Sequence, residues 1–305
     1  MGNHHENAEA IYASLSLSLY CAAIEWFLYG INLVLFFFCI YTLRRSRARA
    51  LPHRCGLTLA VSSIFLFCTL HWILQLVSAG KLIAVRLAEA KHGDTHTHLA
   101  KNAEWNRINI TMGVFYVTSI IVADGIFVFR CYEIWGRRKR VVVVPITTAV
   151  ASAALGYASV IICGLRSLAQ FLFINWIFPL AVVFSMLTNT MLMALTAGRI
   201  WWIARGAAMI MGPTVDRQYR TVVAMILESG ALYVTPALLY LILYAAERAS
   251  TQIIFATLAQ IVGIAPTIIV VRVGLGSSIT SPRDVEESVM DIRAPNSDAS
   301  VDDKV

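Results

Sequence analysis

The stretch Ile108–Arg140, INITMGVFYVTSIIVADGIFVFRCYEIWGRRKR, decides the fold class. Up to Trp135 it is an almost unbroken apolar run. As a helix rising 1.5 Å per residue, it is long enough to cross the ~30 Å hydrocarbon core of a bilayer. Asp124 is the one acid in its middle. Arg130, Tyr132, Glu133 and Trp135 stand near its end, where snorkelling and aromatic side chains meet the membrane interface. Arg137, Arg138, Lys139 and Arg140 then close it with a block of positive charge.

Six further blocks of the same kind flank it. The spans run roughly 17–43, 56–79, 108–135, 141–164, 171–203, 219–244 and 252–273. Over the 305 residues, 58% are hydrophobic and 14% charged, with a mean hydropathy of +0.68. Soluble domains carry about 45–50% apolar residues and about 25% charged ones. The blocks are continuous rather than alternating, which excludes a membrane β-barrel. The expected fold is an all-α membrane protein, a seven-transmembrane helix bundle over residues 17–275. A polar N-terminus (residues 1–16) precedes it and a disordered acidic tail (276–305) follows. The N-terminus has neither a signal-peptide pattern nor a myristoylation motif, since position 6 is Glu6.

Basic residues in the short loops set the orientation. Arg44, Arg45, Arg47, Arg49 and Arg54 follow the first span, the Arg137–Arg140 block the third, and Arg205 and Arg217 the fifth. The fourth and sixth loops offer only Arg166 and Arg248. The second loop has Lys81, Arg86, Lys91, Lys101 and Arg107, but it is long and also holds Glu89, Asp94 and Glu104. The N-terminus is therefore expected outside and the C-terminus in the cytoplasm. After Leu275 the tail has three basic and seven acidic residues, so the rest of the chain carries +11 of the net +7. That excess is a topology signal and meets lipid headgroups; no nucleic-acid partner is expected.

Polar side chains inside spans should face protein or a cavity. Glu25, Tyr29 and Asn32 recur on one face of the first span with Ser18 and Cys21. His71, Gln75 and Ser78 do so in the second, Asn189 with Asn175 and Thr196 in the fifth, and Gln260 with Thr257 and Thr267 in the seventh. In the sixth, Thr221, Glu228 and Thr235 are seven apart. Glu25, Tyr29, Asn32, His71, Gln75, Asp124, Asn189, Glu228 and Gln260 are the candidates for a ligand or ion cavity. Asp124 and Glu228 fall at comparable depth. An acid there costs several kcal/mol unless neutral or paired, and Asn189 or Gln260 are the expected partners of Asp124. The same residues could instead serve as interhelical hydrogen-bonding pins. The fourth span, ITTAVASAALGYAS, places Ala149/Ala153 and Ser152/Gly156 at small-xxx-small spacing, a helix-packing face. Homodimerisation is its second reading. Pro179, Pro236 and Pro266 interrupt the last three spans.

Seven spans with interior polar stripes resemble the G-protein-coupled receptor architecture. The third span nevertheless ends Phe129-Arg130-Cys131 without an acid before the arginine, and Ala265-Pro266-Thr267 is not the NPxxY pattern. The stretches ADGIFVFRCYEIW, TAGRIWW, YRTVVAMILESGALY and GIAPTIIVVRVGLG, within residues 10–276, resemble a large family of seven-span membrane proteins from mushroom-forming basidiomycete fungi. That family typically has Trp where this chain has Phe129. It has no established ligand or reaction, so the resemblance implies architecture and membrane location only.

Other classes fare worse. The seventh span lacks the lysine a retinal protein needs, and only His71 lies in a span, too few ligands for an intramembrane zinc hydrolase. No catalytic constellation and no cofactor are expected. His92, Asp94, His96 and His98 in the second loop make a weak metal site at best, and Asn109-Ile110-Thr111 is a sequon at the membrane edge. Ser281 and Ser300 are phosphorylation candidates in the tail, and Cys55 and Cys131 are palmitoylation candidates beside their commoner packing role. The expected function is a receptor-like bundle with a small-molecule ligand from outside. Arg130, Tyr132 and Arg137–Arg140 would couple it to a cytoplasmic signalling protein. The alternatives are a proton-coupled carrier using the buried carboxylates, and a non-signalling scaffold.

Overall fold

The computed structural model describes residues 2–45, 54–92, 98–165, 170–211 and 213–279; within these, side chains are described chiefly for 12–44, 55–85, 106–163, 176–203 and 226–272. The backbone forms seven helices: α1 (Gly2–Arg45), α2 (Arg54–His92), α3 (His98–Ile134), α4 (Lys139–Leu165), α5 (Gln170–Met211), α6 (Pro213–Ala245) and α7 (Thr251–Ile279). No strand occurs among the described residues. Each helix contains a segment long and apolar enough to cross a membrane: 12–44, 55–85, 106–134, 139–163, 176–203, 226–245 and 251–272. The protein is thus a polytopic, all-α membrane protein.

The helices outrun the apolar blocks. α1 begins at Gly2, so the polar N-terminus is part of the first helix rather than a separate segment. α2 continues to His92 and α3 starts at His98, which turns most of the expected second loop into helix. α7 continues to Ile279, past the expected start of the tail. Backbone hydrogen bonds within a helix stay satisfied in lipid and in water alike, so hydropathy marks the span and not the helix end.

Each helix packs against its chain neighbours and α1 closes the ring on α7; α7 also touches α2 and α3, and α3 touches α5. α7 is the most interior span, with 67% of its window buried against 17% for α1. α1 accordingly presents Tyr20, Trp26, Phe27, Val34, Phe37 and Tyr41 outward. In water such a surface would be untenable; in lipid it costs nothing.

Two turns end helices in the left-handed conformation. After α3, Gly136 (φ 63) and Arg137 (φ 64) close a Schellman motif, with Arg137 N donating to Tyr132 O at 2.9 Å and Gly136 N to Glu133 O at 3.0 Å. After α6 the same motif uses Glu247 (φ 52) where glycine is the usual residue.

The small residues of α4 serve contacts within the chain. A Cβ on Gly156 would lie 3.0 Å from Val117 Cγ2 of α3, and Ser152 Oγ donates to Ala181 O of α5 at 3.0 Å. The Ser152/Gly156 face is therefore occupied by α3 and α5. Pro145, Pro179, Pro236 and Pro266 all lie inside helices.

Candidate functional site

The candidate residues divide into two buried clusters and one surface clamp. The first cluster joins α1, α2 and α7. Glu25 (0% exposed) and His71 (2% exposed) meet with Oε1 and Nδ1 2.8 Å apart. Gln260 Nε2 donates to the same Glu25 Oε1 at 3.0 Å and to Cys68 O at 3.3 Å. Asn32 Nδ2 donates to Gln260 Oε1 at 3.5 Å, completing the chain of polar groups. Gly263 lets the helices come this close. A Cβ there would stand 2.8 Å from Cys68 Sγ and 3.0 Å from Asn32 Nδ2. Tyr29 flanks the cluster, stacked on Trp72 with centroids 4.4 Å apart and its hydroxyl 3.3 Å from Thr69 Oγ1.

The cluster leaves two atoms over. Glu25 Oε2 and His71 Nε2 are buried and have no hydrogen-bond partner among the described residues. Buried polar groups are nearly always paired, so two orphans on one contacting pair are unusual.

The second cluster joins α3, α5 and α6. Asn189 Nδ2 donates to Asp124 Oδ1 at 3.3 Å and to Ser185 O at 3.1 Å, and Ser185 Oγ lies 2.6 Å from Tyr233 OH. These residues line a small cavity that Ala265 and Pro266 of α7 close, with room for about one water molecule. Asn189 is thus the partner of Asp124, and Gln260 is taken by Glu25. A second cavity, between Tyr116, Ser152, Gly156 and Phe178, is equally small. Ligand cavities usually enclose about 300–1,000 Å³, so neither is ligand-sized. Tyr116, Phe178, Tyr240 and Phe255 fill the interior next to them, with centroids 5.0–6.3 Å apart.

Gln260 and Pro266 are six residues apart on α7, so the two clusters lie roughly 9 Å apart along that helix. The first is nearer the face where α1 begins. The second is nearer the face that carries the α3–α4 turn.

Glu228 does not join Asp124. Its side chain is 69% exposed, and Arg272 Nη2 donates to its Oε2 at 3.2 Å. Arg272 Nη1 also donates to the buried Ser229 at 3.1 Å, so the arginine pins α7 to α6. Thr221 and Thr235 are exposed as well: the seven-residue stripe of α6 faces outward. The inward face of α6 is instead Ser229, Gly230, Tyr233, Ala237 and Tyr240. Gln75 is half-buried on α2, one turn beyond His71.

At the end of α3, Trp135 Nε1 donates to Leu195 O at 3.2 Å. The Arg199 guanidinium lies over Trp135 and Trp202, at 5.3 and 4.7 Å from the ring centroids. Arg137 pairs with Glu133 at 3.3 Å, while Arg138, Lys139 and Arg140 are exposed. Arg130 Nε is buried without a partner among the described residues, and Tyr132 is half-buried. Cys131 is fully buried and so is closed to acylation, whereas Cys55 is exposed.

Asp94 and His96 lie outside the described residues, as do the side chains of His92 and His98. Ser281 and Ser300 also lie outside them. Among the described side chains, no group of three or more His, Cys, Asp or Glu could hold a metal ion. Gly113, Gly156, Gly230 and Gly263, none singled out for the site by polarity, are where helices approach closest. Small residues at helical spacing were the only signal that could have found them. Comparison with family models, curated proteins and solved structures gives no match for this chain.

Proposed function

We propose that this chain is a receptor-like membrane protein, not an enzyme, with its N-terminus outside and its basic loops in the cytoplasm. A small ligand arriving at the N-terminal face would shift the bundle. Arg130, Tyr132 and the Arg137–Arg140 block would present the change to a cytoplasmic signalling protein. The observation that supports this reading is the role of α7. It bonds to Glu25 through Gln260, closes the Asp124 cavity through Ala265 and Pro266, and ends on the Arg272–Glu228 clamp. A displacement of one helix is then felt at both buried clusters and at the clamp. The resemblance of four spans to the fungal seven-span family supports the same topology.

A carrier would need polar groups continuous from face to face. Here Ile120, Phe127 and Val262 surround the Asp124 cavity between the polar groups, which favours the receptor reading.

The test couples two assays. Guanine-nucleotide exchange on a co-expressed heterotrimeric G protein is followed across a compound library, and proteoliposomes are assayed for solute and proton uptake. The reading expects exchange that responds to at least one compound, and no uptake above empty vesicles. Uptake that disappears in Asp124→Asn contradicts it.

A further inference from the structure

We propose that Glu25 and His71 form a proton-binding site, loaded from the N-terminal face of the membrane. The pair is buried to 0% and 2% exposure and shares one short contact, yet Glu25 Oε2 and His71 Nε2 have no partner. No protonation state of the pair satisfies both atoms. With Glu25 ionised and His71 neutral, a carboxylate oxygen and a ring lone pair are left over, with a net negative charge in the bilayer. With one more proton the pair becomes neutral overall, as an ion pair or as two uncharged groups, and one N–H or O–H and one acceptor are left unbonded. The two states differ by a single proton and by one unit of buried charge, a costly difference inside a bilayer. Neither Glu25 nor His71 lines either of the two cavities described above.

The groups around the pair leave the proton to these two residues. Cys21 on α1 and Cys68 on α2 lie close enough to feel the charge on Glu25, and Tyr29 stands one turn away on α1. α7 contributes Gln260 and no ionisable group before Arg272. Ser119 of α3 lies beside Cys68. Tyr116 of α3 and Tyr240 of α6 pack on Phe255 of α7, and Asp124 and Tyr233 line the separate cavity.

Polar side chains lead to the pair from the N-terminal face. From Glu25 toward the start of α1, the same helix face carries Cys21, Ser18 and Ser14; from His71 toward the end of α2 it carries Gln75 and Ser78. Ser14, Ser18, Gln75 and Ser78 are half-buried, and the stripes reach about 16 Å on α1 and about 10 Å on α2 toward the face where α1 begins. In the opposite direction α2 presents Cys68, Ile64 and Val61, all 1% exposed. A proton arriving as hydronium at the N-terminal face forms an O–H on Glu25 or an N–H on His71, leaving water behind. Toward the other face the described polar groups beside the pair are Gln260 and Asn32, which are bonded to each other. This site does not depend on the receptor reading, since a carrier or a scaffold could hold the same proton.

The test is infrared difference spectroscopy on the full chain in nanodiscs, between about pH 8 and about pH 5. A protonation difference signal, in the carboxylic-acid or imidazole region, is expected in the wild type. It should vanish in Glu25→Gln, shift in His71→Gln and persist in Asp124→Asn. A wild-type protein with no such signal overturns the proposal without reference to any variant. Persistence in Glu25→Gln, or loss in Asp124→Asn, overturns it as well.

Discussion

Replacing Gly263 by alanine adds one methyl group at the point where α7 leans on α1 and α2. The new Cβ would lie 2.8 Å from Cys68 Sγ, 3.0 Å from Asn32 Nδ2 and 3.3 Å from Ile64 Cγ2, whereas ordinary contact begins at 3.4 Å. Something must give by about 0.6 Å, the difference between 3.4 and 2.8 Å. Two of the three neighbours are fixed: Asn32 is bonded to Gln260, and Ile64 is 1% exposed in the packed core. Overpacking a tight interior costs about 1–3 kcal/mol, and the upper half of that range applies where neighbours cannot turn away. Gly263→Ala is therefore expected to lose about 2 kcal/mol in reversible unfolding by SDS from mixed micelles. Adding Cys68→Ala removes the closest atom but leaves Asn32, so the double variant should recover part of the loss, with a coupling above about 0.5 kcal/mol. If Gly263→Ala unfolds like the wild type, α7 does not approach α1 and α2 as described, and the Glu25–Gln260 bond loses its geometric basis.

Other perturbations separate the buried from the exposed groups. His71→Leu leaves Glu25 buried with Gln260 as its only side-chain donor and should cost about 3–5 kcal/mol in the same assay, more than the isosteric Glu25→Gln. Glu228→Gln breaks an ion pair whose acid is 69% exposed, so its effect on stability should stay within about 1 kcal/mol. Glu247→Gly places at φ 52 the residue that conformation prefers, and should stabilise the protein by about 1 kcal/mol.

The seven spans were legible because a bilayer imposes length and apolarity on every crossing segment. The helical extensions of α1, α2 and α3 were not, since a helix outside lipid needs no apolar run. Interior faces were legible where a polar residue marked them: Glu25 and Asn32, His71, Asp124, Asn189 and Gln260 are all buried. Depth put Glu228 beside Asp124, but rotation about the α6 axis decides the matter. The inward face of α6 is built from tyrosine and small residues, which a search for polar stripes passes over. Nor could spacing along single helices divide the candidates into two clusters, because that depends on which helices are neighbours. The pairing of Glu25 with both His71 and Gln260 is a fact of the α1–α2–α7 junction.

A pair of double-mutant cycles tests that division most directly. Glu25→Gln is combined with Gln260→Leu in one cycle and with Asp124→Asn in the other, and unfolding free energies are compared. Groups in contact couple by about 0.5–3 kcal/mol, and separate ones add to within about 0.3–0.5 kcal/mol. Two separate clusters predict a clear coupling between Glu25 and Gln260 and simple additivity between Glu25 and Asp124. Equal coupling in both cycles would mean that the acids share one site, and would contradict the two-cluster interior.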